Sequence, residues 1–116
     1  MARARGGAEP DPERLAAIAE QLGQPPRAVA VTLRDELVAA RAQIDAGLAA
    51  EDLIAVADGA HAARNSALMV GARALLAALR ALETAAENAQ LGAAREARAG
   101  ADADLAHLIQ ALGDLG

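Results

Sequence analysis

The 116 residues make about one domain, enough to bury a single core, and 36 of them are alanine, with no lysine and no aromatic residue. The absence of cysteine excludes disulfides, thiolate zinc sites and a cysteine nucleophile; Ala richness and the lack of aromatics favour helices and disfavour sheet. A net charge of −5 and the lack of any ring on which a base could stack argue against nucleic acid as a partner.

Residues 1–10 read as a disordered tail, and residues 11–116 as one helical domain. Asp11-Pro12-Glu13 has the form of an N-cap, a proline at the first helical position and an acidic first turn. Leu15, Ile18 and Leu22 then recur at helical spacing up to Gly23, a stop signal. Pro25-Pro26 restarts the chain. Val29, Leu33, Leu37, Ala40, Ile44 and Leu48 follow at steps of four and three, and Gly47 marks the expected fraying end.

A third helix opens on Glu51-Asp52 and carries Leu53, Val56, Ala60, Ala63 and Ala67 on one side. Gly71 separates it from a fourth, striped by Leu75, Leu79, Leu82 and Ala86. The weak helix formers from Asn88 to Gly92 predict a turn, and Ala94, Ala97, Ala101, Leu105, Leu108 and Leu112 then line a fifth helix. Short connections between long amphipathic helices predict an all-α fold: an up-and-down antiparallel four-helix bundle with a short extra N-terminal helix.

The reactive inventory is short. There are two histidines, and no His-x-x-x-His pair, Gly-rich phosphate loop or Gly-x-Ser-x-Gly elbow, so neither a metal nor a bound cofactor is expected. No apolar run approaches a membrane span and no signal-peptide core follows the basic start, which predicts a soluble cytoplasmic protein. His107, between Leu105 and Leu108, reads as a partly exposed structural residue. Arg73 and Arg80 read as a solvated face of the fourth helix.

His61 stands beside the core stripe of the third helix rather than on it. Its neighbours Gly59, Ala60, Ala62 and Ala63 are small, and Ala57, Asp58, Arg64 and Asn65 lie one turn away. Arg64 at +3 is placed to meet negative charge arriving at the imidazole. Taken alone, these features fit a surface histidine equally well.

The run His61-Ala-Ala-Arg64-Asn65-Ser66, then Gly71-Ala72, Leu75, Leu79 and Leu82-Glu83, resembles the histidine-containing phosphotransfer (HPt) domain of bacterial and plant phosphorelays. That family carries a basic residue at +3, Gly-Ala at +10 and Leu-Glu at +21 from its active histidine. Glu51-Asp52-Leu53 and Asp11-Pro12 fall where the family has comparable pieces, so the likeness covers residues 11–113. Two departures stand out: Asn65 replaces the usual glycine and Ala63 the usual leucine.

The resemblance implies a four-helix bundle with an N-terminal helix, and a monomeric phosphocarrier rather than an enzyme. His61 would accept the phosphoryl group and Arg64 would steady its charge. The partner would be the receiver domain of a response regulator or hybrid histidine kinase, which brings the Mg²⁺ and the acidic pocket. Histidine suits the role because neutral imidazole offers a nucleophilic nitrogen near neutral pH. The docking patch would comprise Ile54, Ala57, Asp58, Ala62, Asn65 and Leu68, with Ile54 and Leu68 otherwise serving as packing residues. The Asn65 amide can donate to phosphoryl oxygens; Asn65 and Ser66 are equally readable as local polar groups of the helix. The competing reading is a pseudo-HPt, or a helical interaction or dimerisation module that binds signalling partners without taking phosphate.

Overall fold

The computed structural model describes residues 9–116; of the expected N-terminal tail, residues 1–8 lie outside the described residues. Five helices and no strand occur among the described residues: α1 Pro12–Leu22, α2 Pro26–Ala49, α3 Leu53–Met69, α4 Arg73–Glu87 and α5 Leu91–Leu115. The helices pack α2 on α3, α3 on α4 and α4 on α5, and α2 also meets α5, which closes the ring. α1 lies across α2 and α3.

The stripes of α2 and α4 are buried throughout, and those of α3 and α5 almost throughout, with Leu53 and Ala97 half-buried at their edges. Leu37, Ile44, Leu75, Leu79, Leu82, Leu105, Leu108 and Leu112 supply the bulk of the core. On α3 the buried side chains are mainly alanine, so this helix must be approached closely to exclude water.

Glycine makes that approach possible. A Cβ on Gly59 of α3 would stand 2.9 Å from Ile44 Cγ1, 3.2 Å from the Ala40 carbonyl oxygen and 3.3 Å from the Ile44 nitrogen. A Cβ on Gly47 of α2 would stand 2.8 Å from Val56 Cγ2 and 3.0 Å from the Asp52 oxygen. Gly47 is therefore a buried contact inside a helix that runs on to Ala49, not the fraying end expected from the sequence. A second departure is Leu22, which is 57 % exposed at the last position of α1 rather than on its buried stripe.

Helices α1 to α4 end in the same way. In each the chain turns into the left-handed region, and the following N–H bonds back to a carbonyl five residues earlier: Gln24 to Ala19, Asp52 to Gly47, Ala72 to Ala67 and Gln90 to Ala85. Gly23 and Gly71 occupy that conformation without cost, whereas Glu51 (φ 57°) and Ala89 (φ 56°) adopt it against the preference of L side chains. Asp11 and Asp52 cap α1 and α3, accepting from the Glu13 and Ala55 N–H groups.

Polar clamps fix the remaining registers. The Asp11 N–H donates to the Val70 oxygen, and the Arg14 guanidinium donates to the Leu68 and Met69 carbonyls, so α1 is fastened to the carbonyl end of α3. Arg98 of α5 reaches both carboxylate oxygens of Asp45 on α2 (2.7 and 3.2 Å) and also Asp102 one turn on. The hydrogen bond to Asp45 raises the Arg98 pKa above its ordinary value against the opposing effect of burial, so the guanidinium of this clamp stays protonated.

Candidate functional site

The register of α3 is set by Val56, Ala60, Ala63 and Ala67, all buried against the neighbouring helices. His61 lies one position past Ala60 and so is turned about 100° from that contact, out of the core. Its side chain is 53 % exposed. On α4 the burial of Leu79, Leu82 and Ala86 likewise turns Glu83 toward α3, where its side chain is 14 % exposed.

Three side chains meet there. Glu83 Oε1 accepts from Arg64 Nε at 2.9 Å, and Glu83 Oε2 lies 3.1 Å from His61 Nδ1. Arg64 Nη2 lies 3.0 Å from the same His61 nitrogen. A neutral Nδ1 either donates to Glu83 or accepts from Arg64, never both, so the two contacts correspond to the two tautomers of the ring. With the proton on Nδ1 and shared with Glu83, the lone pair is at Nε2. Among the described residues both hydrogen-bond contacts of the imidazole are at Nδ1, on the ring edge away from Nε2.

Chemically this is a half-exposed imidazole with a carboxylate that orients it and a guanidinium beside it. The carboxylate holds the proton-bearing nitrogen and neutralises any positive charge the ring acquires. Arg64 donates to the Glu83 carboxylate and is close enough to meet an anion at the ring. Among the described residues no group of three or more potential metal-binding His, Cys, Asp or Glu side chains forms, and no helix is long and apolar enough to cross a membrane.

The expected patch residues divide between two flanks of α3. Ile54, 79 % exposed, lines a depression toward α4 with Ala57, Asp58, Ala86 and Glu87. Ala62 and Asn65 line a groove toward α2 with Glu36, Gln43 and Met69. Leu68 is 52 % exposed, so it is a surface residue and not part of the core. Ser66 is buried, and its hydroxyl donates to Glu36 of α2, which makes it a packing contact between helices. The imidazole keeps its exposure although Asn65 follows one turn later. His107 is half-buried on α5 and meets Glu9 through Nε2 at 3.1 Å.

The sequence alone gives Glu83 no role beyond its Leu82-Glu83 pair. Its signal in the sequence is an acidic residue bordering the Leu79–Leu82 stripe of the helix that follows Arg64, which becomes informative only once α4 is laid against α3. Comparison with protein-family models, with curated proteins and with solved structures returns no significant match for this chain.

Proposed function

We propose that this chain is a histidine phosphocarrier that exchanges a phosphoryl group between His61 and the phosphoaspartate of a receiver domain. The finer architecture belongs to the same reading: α2 to α5 form an up-and-down antiparallel bundle, with α1 as the extra N-terminal helix and a monomer acting in the cytoplasm. One observation carries it. The half-exposed His61 ring has Nδ1 against the Glu83 carboxylate and Arg64 at its side, an arrangement suited to making Nε2 a nucleophile.

In the transfer, the Nε2 lone pair forms a bond to phosphorus while the phosphorus–oxygen bond to the aspartyl group breaks. The electron pair leaves on the receiver's carboxylate. The product ring is an imidazolium carrying its proton on Nδ1, next to Glu83, and the Arg64 Nη2 group, which has no acceptor on the ring in that tautomer, turns to the phosphoryl oxygens. Phosphoryl transfer through a loose transition state needs positioning and charge compensation above all, which these three side chains supply.

The test is labelling by a receiver domain charged with radioactive acetyl phosphate. The wild-type chain should acquire acid-labile, alkali-stable phosphate; His61→Gln should acquire none, and Arg64→Ala should acquire it more slowly. Labelling of His61→Gln, or no labelling of the wild type by any receiver of a broad panel, refutes the carrier. The second outcome with receiver binding retained would identify an interaction module that takes no phosphate.

A further inference from the structure

Several arginines of the described chain are engaged within it: Arg14 on carbonyls of α3, Arg34 on Asp35, Arg64 on Glu83, and Arg98 on Asp45 and Asp102. Arg27, Arg41, Arg73 and Arg80 take part in no ion pair among the described residues, and of these Arg73 and Arg80 stand two turns apart on one helix. Both are exposed on α4. Seven positions apart, they stand on one line of the helix, about 10 Å from each other along its axis. Between them is a shallow depression floored by Leu76 and Ala77.

This strip is tied in register to the phosphoryl site. Leu76 is seven residues before Glu83, the residue that meets His61, so Leu76 shares the α3-facing line of α4 with it. The other end of the same line is acidic, since Glu87, seven residues past Arg80, lines with Asp58 the depression beside Ile54. The surface around His61 therefore has a basic end and an acidic end in a chain whose net charge is −5.

We infer that the Arg73–Leu76–Arg80 strip is a second docking zone, which takes an acidic face of the receiver that exchanges phosphate with His61. The inference rests on the phosphocarrier reading. A receiver presenting a phosphoaspartate brings negative charge where it meets this chain, and the positive charge at the centre, on Arg64, is already engaged by Glu83. Arg73 and Arg80 provide it at one end only. They draw the receiver in and fix which way round it lands, while Leu76 offers an apolar contact between the two charges.

The probe is the receiver, taken from a panel charged with acetyl phosphate, that labels the wild type fastest. Arg80→Glu is compared with Arg27→Glu, which makes the same charge change on an exposed residue at the start of α2, off the strip. At low salt, Arg80→Glu should lower both receiver affinity and the second-order labelling rate by about tenfold and flatten their salt dependence, leaving the saturated transfer rate unchanged. Arg27→Glu should change them by no more than about twofold. Equal effects of the two variants, or none, overturn the docking zone while leaving the carrier intact. If no receiver labels His61, the carrier reading fails and affinity alone decides the strip: a selective loss in Arg80→Glu supports it, and unchanged or absent binding overturns it. Binding of phosphatidylserine vesicles through these arginines, with no receiver binding, also overturns it.

Discussion

Replacing Gly59 with alanine adds one methyl group where α3 touches α2, and the structure gives the sign of the effect. The new Cβ would meet Ile44 Cγ1 at 2.9 Å, but it would also meet the Ala40 oxygen and the Ile44 nitrogen at 3.2 and 3.3 Å. The last two belong to the α2 backbone, so no side-chain rotation relieves them and the helices must part by a few tenths of an ångström. Such overpacking costs about 1–3 kcal/mol. Alanine at a helix-interior glycine returns about 1 kcal/mol. Gly100, inside α5 with nothing within 4 Å of its would-be Cβ, receives only that gain. The two single variants therefore differ by the overpacking alone, about 1–3 kcal/mol, or roughly 4–12 °C in Tm for a chain of this size. Gly100→Ala should melt above the wild type and Gly59→Ala below it, or at best level with it. With no aromatic residue to report on unfolding, far-ultraviolet circular dichroism in urea is the measurement, and the slope should be the same for both. Coincident midpoints for the two variants would refute the close α2–α3 contact.

Two further predictions follow from the same geometry. Ala89 holds a left-handed conformation at the end of α4, so Ala89→Gly should raise stability by about 0.5–1 kcal/mol, read as a higher urea midpoint; no gain would mean that the chain turns there in another conformation. Glu83→Gln keeps the shape of the side chain but removes the charge 3.1 Å from His61 Nδ1; even at the dielectric constant of water this is worth about 1.3 kcal/mol, so labelling should slow by about tenfold and ring ¹⁵N spectra should show less of the Nδ1–H tautomer. An unchanged rate and tautomer ratio would remove Glu83 from the site.

The periodic features of the chain are legible because packing and periodicity are the same information. Every residue of the Val29-to-Leu48 stripe is buried, and the Asp11 and Asp52 caps and the Gly71 turn fall where their chemistry requires. Glycine inside a helix is where the reading misleads. Gly47 looks like a terminator, yet it is the point at which α2 admits the Val56 side chain, a fact held by the partner helix and not by the local sequence. Both breaks that hold Glu51 and Ala89 are expected from the sequence, but the left-handed residue within each is not legible, since neither is a glycine. At the site, His61 and Arg64 are legible together because they share one helix. Glu83 is separated from them by 22 and 19 residues, and only the rotation of α4 about its own core brings it in.

That rotation explains how so sparse a sequence can hold a reactive group. A shift of one residue in the packing of α4 would turn Glu83 by about 100° and leave Arg64 and His61 without their shared carboxylate. Leu75, Leu79 and Leu82, each fully buried, hold α4 against such a shift, and Gly59 with the α3 alanines does the same for His61 by letting Ile44 seat against the helix. The three site side chains are one carboxylate, one guanidinium and one imidazole. On the proposed reading, phosphorylation at Nε2 would add an anion and leave a cation on the ring. The cation would face Glu83 and Arg64 would turn to the anion, so the new charges would find partners already in place. A bundle of small residues can therefore support the chemistry with three polar side chains, provided the helices that carry them cannot slip.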